Sequence, residues 1–207
     1  MKLYYTRGTC SLAPHIILKE AGYEFDLIKV DLKTKKTESG VDFNQINAKS
    51  AVPVLELDTG ERITEVGAIV EYLADHKPET RLAPEFGTLE RARVQEWLSF
   101  ISTEVHKTYS PIFRVAEVGD QARDYFLQKL KQAFDFISVR LEGKAYLMGD
   151  QFTIADAYLF TTLRWHKGIQ LDLSAWPVLA DYLRRVASRA QVEASLIAEG
   201  LLEKKAA

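Results

Sequence analysis

The sequence predicts a small α/β domain joined to an all-helical one, on three observations. Short apolar runs alternate with helical patterns up to about residue 80, strand signals cease beyond it, and the remainder carries four stretches with apolar residues at helical spacing. The 207 residues are 47% apolar and 11% aromatic, enough for one large core or two small ones. Charges nearly cancel, 27 basic against 29 acidic, and no Lys/Arg block offers a footprint for phosphate backbones, so no nucleic-acid partner is expected. No apolar run approaches the roughly 18 to 20 residues that cross a bilayer, and no basic stretch with an apolar run follows Met1, so no membrane partner is expected either. The lone cysteine, Cys10, has no intramolecular disulfide partner and fits a reducing, cytoplasmic setting.

Taken in order, KLYY (2–5) reads as a strand, SLAPHIILKEAG (11–22) as a helix closed by Gly22, and EFDLIKVDL (24–32) as a strand, which together make a βαβ unit. DFNQINAK (42–49) is weakly helical. VPVLEL (52–57), a DTGE turn and a brief RIT strand follow, and a helix then places Val66, Ile69, Val70 and Leu73 on one face. A loop with Pro78, Pro84 and Gly87 leads into a long helix from about Thr88, with a stripe of Val94, Trp97, Leu98, Ile101 and Val105. A second helix at about 120–142 carries Leu127, Leu130, Phe134, Ile137 and Leu141, with Gly143 beyond its end. FTIADAYLFTTLRW (152–165) is apolar all round, so a buried helix is expected; Thr153 and Asp156 have capping-box spacing, which assigns Asp156 to folding. WPVLADYLRRVASR (176–189) starts a fourth with Pro177 at its first position. Domain boundaries are expected at 1–79 and 88–207.

Cys10 follows the first strand at the N-terminus of the first helix, where unpaired N–H groups and the dipole favour an anion and would lower a thiol pKa. The alternative is a small buried hydrophobe. In Cys10-Ser11-Leu12-Ala13 the place of a second redox cysteine holds Ala13, so this thiol cannot resolve its own disulfide. Pro53 at the head of a strand implies an edge, a bulge or a turn. On the long helix Ser99, Ser102, Thr103, His106 and Ser110 form a small uncharged polar stripe, expected to wall a cleft. His15, His76 and His166 show no metal-ligand spacing with Cys10, so no metal site is expected.

Four motifs in this order, the α/β pattern of residues 1–77, AVPVLEL before a hairpin, ITEVGAIVEYLADHKP (63–78) and GDQFTIADAYLF (149–160), resemble a cytosolic glutathione S-transferase. The lone cysteine in TRGTCSLAPHI together with His106 resembles the bacterial beta class. The resemblance covers essentially the whole chain. It implies a thioredoxin-like N-terminal domain that binds glutathione as cosubstrate and a helical-bundle C-terminal domain that takes a hydrophobic electrophile.

It also implies a cis Val52–Pro53 bond with the Val52 backbone pairing to the cysteinyl unit, and Glu65 with Val66 at the γ-glutamyl end. Val66 departs from the hydroxyl residue usual there and offers only a backbone N–H. Lys35, among Lys33, Lys35 and Lys36, matches the position that meets the glycyl carboxylate. Cys10 and His106 are the implied catalytic pair, with Tyr5 and Ser11 as fallback thiol activators and Tyr109, Phe113 and Trp165 as walls for the electrophile. Ser99 and Glu104 match positions that a homodimer lends to the neighbouring subunit's glutathione. Two rival functions are thiol-disulfide, peroxidase or reductive dehalogenation chemistry through Cys10, and a ligand carrier or interaction module without turnover.

Overall fold

A computed structural model describes residues 1–203. The chain forms two compact units, Met1–Thr80 with the segment from Arg189 onward, and Arg81–Ser188.

The first unit is built on a five-stranded mixed sheet of β1 (Lys2–Tyr5), β2 (Asp26–Asp31), β3 (Lys36–Thr37), β4 (Val54–Glu56) and β5 (Arg62–Thr64), in the order β3-β2-β1-β4-β5. β1 and β2 run parallel, as the βαβ reading requires, and every other pairing is antiparallel. Register aligns Leu27, Leu3, Leu55 and Ile63 in one row across the sheet. Tyr4, Val30, Val52, Val54 and Phe43 form a second buried cluster. The short β1 is therefore buried on both faces, which explains why KLYY reads as a continuous run rather than an alternation.

Two elements depart from the expected order. β3 lies in a stretch that shows no strand pattern, because two residues are too few to carry a period. The stretch 42–49 contains only a 3₁₀ turn, Phe43–Gln45, capped by Asp42, whose carboxylate accepts the Asn44 N–H at 2.9 Å. Helix α1 spans Leu12–Glu20 and α2 Val66–Asp75. Phe25 lies outside β2 and sets its ring edge-on to His15, centroids 5.7 Å apart.

In the second unit Thr88 caps α3 (Leu89–Phe100) by accepting the Arg91 N–H. The ladder then widens to a π turn, Ile101–His106, and resumes as α4 (Lys107–Phe113), α5 (Val115–Val118) and α6 (Asp120–Leu141). Pro111, which has no N–H to donate, sits one turn past the π segment. α7 (Ile154–Leu163) is buried at all ten positions, and α8 (Pro177–Ala187) begins with its proline at the first turn.

The expected helical domain of 88–207 ends earlier in the structure. A ninth helix, α9 (Ala190–Ala198), belongs with the first unit because its flanks are bonded there. Arg189 grips Glu20 through two nitrogens at 2.7 and 2.9 Å, and the buried Glu199 carboxylate meets His15.

Candidate functional site

The turn from β1 to α1 is closed by its own hydroxyls. The Thr6 N–H donates to Ser11 Oγ at 3.2 Å, and Thr6 Oγ1 donates to the Val30 carbonyl at 2.7 Å. Ser11 is fully buried in this loop-closing role, which makes it a structural hydroxyl and not an accessible activator. From behind, Glu199 accepts the Gly8 N–H at 2.8 Å through one oxygen and meets His15 Nδ1 at 2.9 Å through the other. Arg7 reaches the Gly200 carbonyl, and Gly8, at φ 70, lies against Leu201.

The loop thus presents a partly exposed Cys10 at the start of α1, its Sγ donating to the Val52 carbonyl at 3.3 Å. Of the two first-strand tyrosines, Tyr4 donates its hydroxyl to Glu56 at 3.2 Å. Burial, and then nearby carboxylates, raise both the Tyr4 and Tyr5 phenols, leaving neither acidic near neutrality.

Val52–Pro53 is cis. Around the backbone that precedes it the chain gathers charge of both signs. Lys35 Nζ donates to the Ser50 carbonyl at 3.1 Å, whereas Lys33 and Lys36 stay exposed, so one lysine of the three is brought to this run. Lys49 Nζ bridges Thr64 Oγ1 at 2.9 Å and Glu65 Oε1 at 2.6 Å.

Glu65 precedes α2 without capping it by its side chain, and Val66 is the first helical residue, its side chain buried. The first-turn N–H groups of α2 therefore open beside Glu65. Lys35, Ser50 and Glu65 all have positive φ (55, 55 and 71°), backbone strain of the kind that concentrates where ligands bind. Lys49 is the residue that sequence reasoning misses: no motif spacing marks it, and only the fold of 47–52 brings it to Glu65.

In the second unit an aromatic cluster surrounds His106. Its Nδ1 lies 2.7 Å from the Tyr158 hydroxyl, and its ring meets Tyr158 and Trp165 edge-on at 5.8 and 5.0 Å. Tyr109 stacks on Phe113 at 5.7 Å and meets Trp165 at 5.5 Å. Gly168 lets Phe113 approach, since a Cβ there would touch the ring at 3.0 Å. The three expected wall residues and His106 are thus neighbours.

The polar stripe is unevenly exposed, and its middle members lie in the π turn. Ser99, Thr103, Glu104 and Ser110 are exposed, while Ser102 and His106 are half-buried. The other histidines bond locally or to Glu199: His76 Nδ1 meets the Tyr72 carbonyl and His166 Nδ1 the Leu171 carbonyl, both at 2.8 Å. Among the described residues no three His, Cys, Asp or Glu side chains gather to hold a metal ion, and no helix is long and apolar enough to cross a membrane.

Comparison with known proteins places this geometry. Residues 1–75 match the family described as glutathione S-transferase, N-terminal domain, and residues 99–190 match the glutathione S-transferase C-terminal domain. Over 201 residues the chain is 40% identical to glutathione S-transferase GstA of Escherichia coli O157:H7, covering 97% of this chain and all of that one. A sphingomonad glutathione S-transferase complexed with glutathione matches with TM-score 0.92 at 41% identity, covering 98% of this chain and 100% of the other. A bacterial beta class glutathione S-transferase from Sphingomonas chungbukensis matches with TM-score 0.93 at 44% identity, over 98% and 100% of the two chains. With both domain families matched along most of its length, and a relative this similar from end to end, the chain belongs to the glutathione S-transferase family.

Proposed function

We propose that this protein conjugates the thiolate of glutathione to hydrophobic electrophiles. The observation that carries the reading is the charged frame around the Val52 backbone: Cys10 at one end, the Lys35 and Lys49 ammonium groups, the Glu65 carboxylate and the open N-terminus of α2. Glutathione is an extended tripeptide with two carboxylates and one ammonium, the complement of two cations, one anion and a helix N-terminus.

In this reading the backbone of Val52, ahead of Pro53, pairs with the cysteinyl unit. Glu65 accepts from the γ-glutamyl ammonium, the N–H groups from Val66 on take the adjacent carboxylate, and Lys35 takes the glycyl carboxylate. The Lys49–Glu65 pair is exposed, 55% and 71%, and an exposed pair is worth no more than about 1 kcal/mol, so the ligand's own charges displace it at small cost.

The glutathione sulfur then sits by Cys10 at the start of α1. There the dipole and hydrogen bonds from Cys10 or backbone groups hold it as thiolate; lowering a thiol pKa from about 9 to between about 6 and 7 raises the thiolate fraction at neutral pH up to roughly a hundredfold. The thiolate attacks an electrophilic carbon, whose leaving group departs with its bonding electrons. Tyr109, Phe113 and Trp165 supply apolar surface for that cosubstrate.

A second reading rests on the partial exposure of the Cys10 sulfur beside Val52: Cys10 itself forms a mixed disulfide with glutathione. One experiment separates the two. Turnover of a chlorinated nitroaromatic with glutathione is measured on the wild type and on Cys10→Ala, with intact mass recorded for a covalent adduct. Conjugation is expected to survive at least in part in the variant while any adduct disappears. Loss of both together replaces conjugation by thiol-disulfide chemistry at Cys10, and glutathione binding without product in the wild type reduces the protein to a carrier.

We further propose that the working form is a homodimer, with Ser99 and Glu104 of one copy completing the other copy's glutathione site. Both side chains are exposed, as such a loan requires.

A further inference from the structure

The segment 47–51 is built to hold one side chain in place. Asn47, 8% exposed, accepts the Lys49 N–H on its amide oxygen at 3.1 Å and donates its amide nitrogen to the Ala51 carbonyl at 2.7 Å, while the Ser50 N–H returns to the Asn47 carbonyl at 2.8 Å. These bonds pin the loop that enters Val52–Pro53, and the loop carries Lys49 Nζ to Thr64 Oγ1 at 2.9 Å and Glu65 Oε1 at 2.6 Å. Just beyond, the Ile69 N–H bonds the Glu65 carbonyl, so the N–H groups of Val66, Gly67 and Ala68 have no carbonyl of their own helix to meet. A Cβ on Gly67 would touch nothing within 4 Å, so the space beside that first turn is open.

We infer that Lys49 and Glu65 form an exchange clamp for a free α-amino acid head group, which makes Lys49 a ligand-binding residue and restricts the site to peptides whose γ-glutamyl unit carries both its ammonium and its α-carboxylate. The inference rests on the glutathione reading and adds Lys49 to it. The ligand's ammonium replaces Lys49 Nζ on Glu65, and the released Lys49 takes the α-carboxylate beside the N–H groups of 66–68. Thr64 Oγ1, a neutral acceptor, keeps the lysine at the site while it changes carboxylates.

One ion pair thus becomes two, with charges that alternate along the clamp. Half a head group gains little. An ammonium alone brings a second cation to the carboxylate that Lys49 already holds, and a carboxylate alone sets a second anion beside Glu65. Each charge of the head therefore binds well only when the other is present.

Calorimetric titration of the full chain tests the clamp with S-methylglutathione, its γ-aminobutyryl analogue, which lacks only the α-carboxylate, and its N-acetyl derivative. The wild type is expected to bind S-methylglutathione about tenfold more tightly than either of the others. Lys49→Gln is expected to weaken S-methylglutathione about tenfold and to bind the γ-aminobutyryl analogue as tightly as the wild type or more so, because the competing cation is gone. Lys33→Gln, which makes the same change in net charge at an exposed lysine, is expected to bind all three as the wild type does. Equal losses of S-methylglutathione binding in the two variants overturn the clamp, as does equal weakening of S-methylglutathione and the γ-aminobutyryl analogue by Lys49→Gln. If the wild type binds S-methylglutathione and Lys49→Gln binds it with unchanged affinity, the clamp fails while the glutathione reading stands. If the wild type binds none of the three, the glutathione reading falls and the clamp falls with it.

Discussion

At φ 71 and ψ 130, Glu65 occupies backbone territory that a side chain enters at a cost of about 1 to 3 kcal/mol, and it caps no N–H of α2 in return. Its carboxylate meets Lys49, and the proposed glutathione site gives it a second role, accepting from the ligand's ammonium. Glu65→Ala keeps the strained backbone and removes only the carboxylate, so titration with S-methylglutathione should show binding weakened about tenfold with little change in thermal stability. Lys33→Ala, on the exposed neighbour of Lys35, should bind as the wild type does; equal losses in both would mean a diffuse charge effect and not a site. Cys10, Val52, Pro53, Glu65 and Lys35 were named as candidates because the stretches that resemble the family carry them. Lys49 and Tyr158 were not: the first reaches Glu65 from sixteen residues away, the second reaches His106 from fifty-two, and local spacing holds no record of either.

Among the elements, α7 shows how far a local signal extends. Thr153-x-x-Asp156 announces a helix start, and in the structure Asp156 Oδ2 accepts from both the Thr153 N–H and its hydroxyl at 2.9 Å. What the spacing cannot announce is Oδ1, which takes the Leu147 N–H at 2.9 Å and the Tyr182 hydroxyl at 3.0 Å, tying a loop and α8 to the same carboxyl. Burial raises this carboxyl to about 6 against the four donors that favour its charged form. At neutral pH Asp156 is therefore an acceptor on both oxygens. Asp156→Asn turns an NH₂ towards two of the four donors, and chemical denaturation should show a loss of about 3 kcal/mol or more; a loss below about 1 kcal/mol would mean that the network relaxes around the amide. The elements that escaped the sequence reading did so for physical reasons. β3 is shorter than any period, the π turn leaves the apolar positions of the helix in place, and α9 owes its place to the Arg189–Glu20 and His15–Glu199 contacts across more than 160 residues.

For the whole molecule, the two-part architecture followed from where strand signals stop, but the homodimer rests on resemblance, and the second unit carries a surface that puts it to the test. Trp97 and Phe100 of α3 meet Phe136 of α6 at 5.8 and 5.0 Å, around a groove of about 470 Å³ that Arg93 and Arg140 also line. One turn along α6, Val139 is 65% exposed, and Leu89 on α3 is 67% exposed. An exposed aromatic face rimmed by charge is what an interface between copies presents, since water gains nothing from it and a second copy removes it from solvent. Sedimentation of the wild type should give twice the chain mass, and Phe136→Glu, which sets a carboxylate in the groove, should give the monomer with its fold intact by circular dichroism. A monomeric wild type removes the dimer and the loan of Ser99 and Glu104 together. A monomeric Phe136→Glu protein whose KM for glutathione matches the wild type keeps the dimer but removes the loan, because a site completed by its neighbour must weaken when the neighbour leaves.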